Sequence, residues 1–114
     1  MDDFLKSHLV IESASVLAKK DGVPIFIKKK GDPDAGVIFV KIDTLDGNLV
    51  FLRRSLHYVI EKNKTFIEYV NLFPNQKVNN YMVNQRIKSE ILFDPDCWIV
   101  EIEDKKGKNY FENI

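Results

Sequence analysis

The chain is poor in the residues that usually announce chemistry. Its 114 residues include one cysteine, Cys97, and two histidines, His8 and His57. A lone cysteine makes no internal disulfide, which suits a reducing compartment. Neither histidine has a Cys or Asp at metal-ligand spacing, so both read as surface or capping residues. Cys97 follows an acidic pair, which disfavours a thiolate, and it reads as a small buried residue. No G-x-x-x-x-G-K-S/T or G-x-G-x-x-G segment occurs, which removes the usual phosphate cradles.

Net charge is also missing. Seventeen basic residues balance seventeen acidic ones, so no overall field draws the chain toward nucleic acid or anionic lipid. Lys28-Lys29-Lys30 and Arg53-Arg54 are local basic patches. They read more readily as solvated strand ends, or as neutralising nearby aspartates, than as polyanion contacts. Nothing approaches the ~20 consecutive apolar residues of a membrane span. The N-terminus, Met1-Asp2-Asp3-Phe4, is acidic where a signal peptide is basic. A cytoplasmic location is expected, with no membrane partner; a nucleic-acid binder using Lys28–Lys30 and Arg53-Arg54 is the least favoured of the functional readings.

What the chain does have is core material. Hydrophobic residues make up 45% and aromatics 11%, enough for one α+β domain over residues 1–114. Leu9, Val10, Ala14, Leu17 and Ala18 recur at helical steps up to Lys20, and Asp21-Gly22 supplies a stop. Ile25 to Lys28 reads as a short strand, Val37 to Asp43 as a longer one. Asp46-Gly47 then predicts a type I′ hairpin to Leu49–Arg53. A second hairpin joins Tyr58–Glu61 to Thr65–Val70 around Asn63, which tolerates the left-handed conformation. Pro74-Asn75 opens a second helix to about Glu90, with Val78, Tyr81, Met82, Gln85 and Ile87 inward. Phe93-Asp94-Pro95 closes it. Trp98 to Glu103 is the last long strand, and a short terminal strand is expected around Asn109 to Phe111.

The expected architecture is an antiparallel or mixed sheet of five to six strands with two helices packed on it. Trp98, Val100 and Ile102 make an apolar face opposite Glu101 and Glu103, as when one side meets water. Other strands are apolar on both faces. Either both helices cover one face, leaving the other for a second subunit, or they sit on opposite faces with nothing left over.

The most specific pattern is a repeated tripeptide. Gly31-Asp32-Pro33-Asp34-Ala35-Gly36 precedes Val37-Ile38-Phe39-Val40, and Phe93-Asp94-Pro95-Asp96-Cys97 precedes Trp98-Ile99-Val100. Proline fixes φ in a turn, and the aspartate before it caps that turn through its own side chain. On this reading Asp32 and Asp94 satisfy backbone N–H groups, while Asp34 and Asp96 are solvated. The functional alternative is a metal or general-base site built from Asp32, Asp34, Asp94, Asp96 and Glu101, because Mg²⁺ or Ca²⁺ prefers several oxygen ligands. If the following strands run parallel, the two turns meet at one end of the sheet. If they run antiparallel, the first turn approaches Glu103 and Asp104 instead. Lys41 alternates onto the side of Val37 and Phe39, where it would pair across strands with a glutamate.

These same segments, with Glu101-Ile102-Glu103-Asp104, resemble a family of short bacterial proteins classed as a domain of unknown function. The resemblance runs from the first helix to the C-terminus and is thinnest over Ser55 to Gln76. A tryptophan expected near the first helix is absent, and similar proteins carry an aliphatic residue at the Cys97 position. The resemblance implies the fold and its boundaries and brings no activity or cofactor. Function therefore reads first as a non-enzymatic interaction module, with a protein partner or a second copy meeting its sheet face. The alternative is a small metal-dependent hydrolase or phosphate-handling enzyme using the Asp-Pro-Asp turns.

Overall fold

A computed structural model describes residues 6–114. In chain order it contains α1 (Ser7–Lys20), β1 (Ile25–Lys29), β2 (Ile38–Asp43), β3 (Leu49–Val59), β4 (Lys64–Asn71), α2 (Asn80–Phe93) and β5 (Trp98–Glu103). A 3₁₀ turn, Ile60–Lys62, links β3 to β4. The strands form one five-stranded sheet in the order β1-β5-β2-β3-β4. β2 and β5 run parallel, with Ile38 opposite Trp98 and Lys41 opposite Glu101. Every other pairing is antiparallel, so the sheet is mixed and the fold is α+β.

The parallel pair lies at the centre, and its strands are buried almost throughout. Their unbroken apolar runs are what a strand covered on both faces requires. Val10, Ile11, Ala14 and Ala18 of α1 pack with Val40, Trp98, Val100 and Ile102 on one face, closed below by Tyr110 and Phe111. Val83 of α2 packs with Phe39, Phe51, Cys97 and Ile99 on the other, joined by Ile87 and Ile91. The Phe39 and Phe51 rings stack with centroids 5.6 Å apart. Burying a side chain of this kind stabilises by ~1.5–3 kcal/mol.

The helices therefore sit on opposite faces, and among the described residues no open apolar face remains over the central strands. This also corrects the expectation that Glu101 faces water. Its side chain is only 15% exposed, on the α2 side of the sheet.

Several boundaries differ from the sequence reading. In α1, Leu17 is 42% exposed and Ile11 is buried in its place. α2 begins at Asn80, not Pro74, because Asn75 takes φ +60°, which a helix does not allow. Asn79 caps it by accepting the Met82 N–H. Tyr81 consequently points outward, 72% exposed. The Asp46-Gly47 loop is not a type I′ turn. Positive φ falls on Leu45 and Gly47, and Asp43 and Asp46 side chains accept the Leu45 and Asn48 N–H groups. Asn63 does adopt the left-handed conformation, at φ 46°. No terminal strand forms at Asn109–Phe111: the segment is a run of turns held by Asn109 and Phe111 carbonyls.

Candidate functional site

The parallel pairing of β2 and β5 places both Asp-Pro-Asp turns at the same end of the sheet. They meet backbone to backbone. The Asp32 N–H donates to the Asp96 carbonyl at 2.9 Å, and the Trp98 indole N–H donates to the Asp32 carbonyl at 2.7 Å. Gly31 and Gly36 permit this approach. A Cβ on Gly31 would overlap the Asp96 carbonyl oxygen, and one on Gly36 would lie 2.8 Å from the Trp98 ring. Glycine is required here for space, since neither residue has positive φ.

The first turn also terminates α1. That helix has no side-chain cap of its own. Its Ser7 and His8 N–H groups donate instead to the Asp34 and Pro33 carbonyls, and the Ser7 hydroxyl donates to the Gly36 carbonyl at 2.5 Å. Orphan donors at a helix start need such acceptors.

The five candidate acids are thus divided among separate tasks. An Asp32 carboxylate oxygen accepts the Asp34 N–H, and an Asp94 oxygen accepts the Asp96 N–H. Asp34 and Asp96 are exposed. Glu101 lies three residues beyond Trp98, about 10 Å along the strand at ~3.3 Å per residue. Among the described residues, no group of three or more His, Cys, Asp or Glu side chains is placed to hold a metal ion. Burial pushes the Cys97 thiol up, with Lys29 pulling the other way and Asp94 adding to the rise.

Glu101 belongs to a different constellation. Lys41 is 8% exposed and stands across the parallel ladder from Glu101, its ammonium 3.9 Å from the carboxylate. Lys28 approaches the same carboxylate from the edge at 3.6 Å. Together with Ile87 and Ile91 of α2 and Ile99 of β5 they line a cavity of about 340 Å³. Lys29 also borders it, but its ammonium is taken up by the Pro95, Cys97 and Lys30 carbonyls, at 2.6, 2.9 and 3.1 Å. Lys29 thus secures the backbone of the second turn rather than its carboxylates. Alternation indicated the Lys41–glutamate pair in the sequence. Helical spacing also placed Ile87 inward, but the contributions of Asn80 and Ile91 carried no signal there, because they depend on where α2 begins and which face it covers.

A third feature lies at the opposite edge. β2 pairs with β3 only through Arg53, so Arg54 to Val59 pair with β4 alone. This two-stranded arm exposes Leu56 (48%), Tyr58 (59%), Ile60 (81%) and Phe66 (47%). β4 is an edge strand whose eight residues pair on one side. The other edge, β1, is five residues long, bulged between Ile27 and Lys29, and rich in lysine. Those are the usual guards against edge pairing, and β4 has fewer of them.

A family model described as "Protein of unknown function (DUF1491)" matches residues 5–112. The chain belongs to this family. Its fold is similar to that of a DUF1491 family protein from Caulobacter crescentus CB15. The crystal structure of that protein aligns with a TM-score of 0.72 at 23% identity, covering 94% of this chain and 92% of that one. An NMR structure of a DUF1491 family protein from the same organism gives 0.75 at 21%, with coverage of 94% and 92%. The solution structure of protein Atu0922 from A. tumefaciens gives 0.70 at 24%, covering 87% of this chain and 85% of that one. No curated protein matches the chain. At these identities the likeness of the DUF1491 structures carries the fold. Among the described residues, no helix is long and apolar enough to cross a membrane.

Proposed function

We propose that this DUF1491 protein is a non-enzymatic interaction module of the cytoplasm that self-associates through its β3–β4 arm. The observation that carries the proposal is the arm itself: Leu56, Tyr58, Ile60 and Phe66 are exposed on a ribbon that only β4 supports. Isolated two-stranded ribbons are marginal in water, and an apolar one gains most from a partner surface. The open β4 edge supplies backbone donors and acceptors for a two-fold pairing with a second copy. This moves the expected contact from the sheet face, which the helices cover, to the sheet edge. The hydrolase reading has less support, because Asp32 and Asp94 each already accept a backbone N–H.

Light scattering over a range of concentrations tests it. The unmodified chain should reach the mass of a dimer, while Phe66→Lys and Ile60→Asp should remain monomers with unchanged circular dichroism. An unmodified chain that is monomeric at every concentration overturns the proposal.

A further inference from the structure

The cavity between α2 and the sheet is independent of the arm and has its own chemistry. Two ammonium groups, Lys28 and Lys41, flank one carboxylate, Glu101, which leaves a net positive charge at that end. Neither cation is within hydrogen-bonding distance of Glu101, since 3.6 and 3.9 Å exceed the ~2.7–3.2 Å of such bonds. Lys41 donates to the Asn80 side-chain oxygen at 2.9 Å, the one acceptor within range among the described residues. A lysine ammonium carries three N–H donors, and a nearly buried one is costly to leave part-filled. The rest of the lining is largely apolar, with Ile87 and Ile91 from α2 and Ile99 beside Glu101 on the sheet. A volume of about 340 Å³ is at the small end for ligand sites, which run to ~300–1,000 Å³.

We infer that this cavity binds a small amphipathic anion, with a carboxylate or phosphate head beside Glu101, drawn to Lys28 and Lys41, and a short alkyl chain against Ile87 and Ile91. The head group completes the donors that Glu101 stands too far away to fill. The isoleucines give the chain a dry wall, and Asn84 at the rim adds a polar side chain. Lys28 sets access: its side chain is 55% exposed, and its ammonium also rests over the Phe26 ring at 5.4 Å.

Amide NMR spectra of the full chain at constant ionic strength test the inference, with hexanoate, butyl phosphate, inorganic phosphate and hexylamine as probes. Hexanoate or butyl phosphate should produce saturable shifts at Lys41, Asn84, Ile87, Ile91 and Ile99. Which of the two binds more tightly identifies the head group. Inorganic phosphate should bind more weakly for want of the chain, and hexylamine should leave these amides unmoved. Lys28→Glu, a change at an exposed position, should weaken the better probe at least about tenfold. Lys41→Gln should do the same, with its amide spectrum reporting that the fold is kept. The inference is overturned if neither anion shifts these amides up to tens of millimolar. It also fails if the shifts map elsewhere, if hexylamine shifts them as strongly, or if Lys28→Glu binds like the unmodified chain.

Discussion

The Trp98 indole N–H donates to the carbonyl oxygen of Asp32, 66 positions earlier, at 2.7 Å. That single bond ties the first residue of β5 to the turn preceding β2 and sets the end of the parallel pair. Trp98→Phe keeps the ring against α1 and removes the donor. Stability should fall by about 1–2 kcal/mol in urea denaturation, since the Asp32 carbonyl retains only the Gly36 N–H.

Glycine substitutions should separate close approach from backbone conformation. Gly31→Ala drives a methyl group into the Asp96 carbonyl and the Cys97 backbone, whose carbonyl carbon would lie 2.6 Å away. A loss of about 2–4 kcal/mol is expected, because backbone on both sides must shift. Gly22→Ala meets nothing within 4 Å and bears only the strain of φ +69°. It should cost about 1 kcal/mol. Equal losses from the two would contradict the docking of the turns.

The aspartates of each turn should behave unequally. Asp32→Ala and Asp94→Ala each remove an acceptor for a backbone N–H and should lower stability by about 1 kcal/mol. Asp34→Asn and Asp96→Asn, at exposed positions, should change it by no more than about 0.5 kcal/mol. Melting temperatures with and without Mg²⁺ or Ca²⁺ give the complementary reading. A cation-dependent rise abolished by Asp34→Asn and Asp96→Asn would favour the metal-site alternative.

Alkaline pH should weaken the fold through Tyr110. Burial first, then its hydrogen bond to Asp21 at 2.7 Å, pushes the phenol up to about 12, against an ordinary value of 10.0. A raised pKa means the folded state holds the proton longer than the unfolded one. The stabilisation is complete below pH 10 and is lost as pH rises toward 12. Tyr69, raised chiefly by burial and opposed by Arg54, falls in the same direction. Urea midpoints between pH 9 and pH 11 should decline, and Tyr110→Phe should flatten that decline.

Much of this was legible in the residues. The β5 strand itself, the closing of α2 before Pro95, the turn roles of Asp32 and Asp94 and the pairing of Lys41 with a glutamate all follow from local rules. What escaped depended on tertiary placement. Arg53-Arg54-Ser55 looks like a strand end, yet β3 runs on to Val59 because β4 supplies its ladder. Pro74-Asn75 looks like a helix start, but the left-handed Asn75 breaks it, Val78 is buried ahead of the helix, and the Asn79 cap begins it. Glu101 joins the turn aspartates as a candidate through its place on the polar side of the β5 alternation, which does not reveal that α2 covers that side. The second cation at Glu101, Lys28, is placed only once β1 flanks β5 on the side away from β2.

Because β5 is the strand inserted between β1 and β2, a growing polypeptide carries a divided sheet until its last strand is made. Until then β1 has no ladder, and one side of β2 offers bare amides to whatever is nearby. Closing that gap brings together segments far apart in sequence, which is entropically slow. Newly synthesised chains should therefore be most prone to chaperone capture just before Trp98–Glu103 slots home.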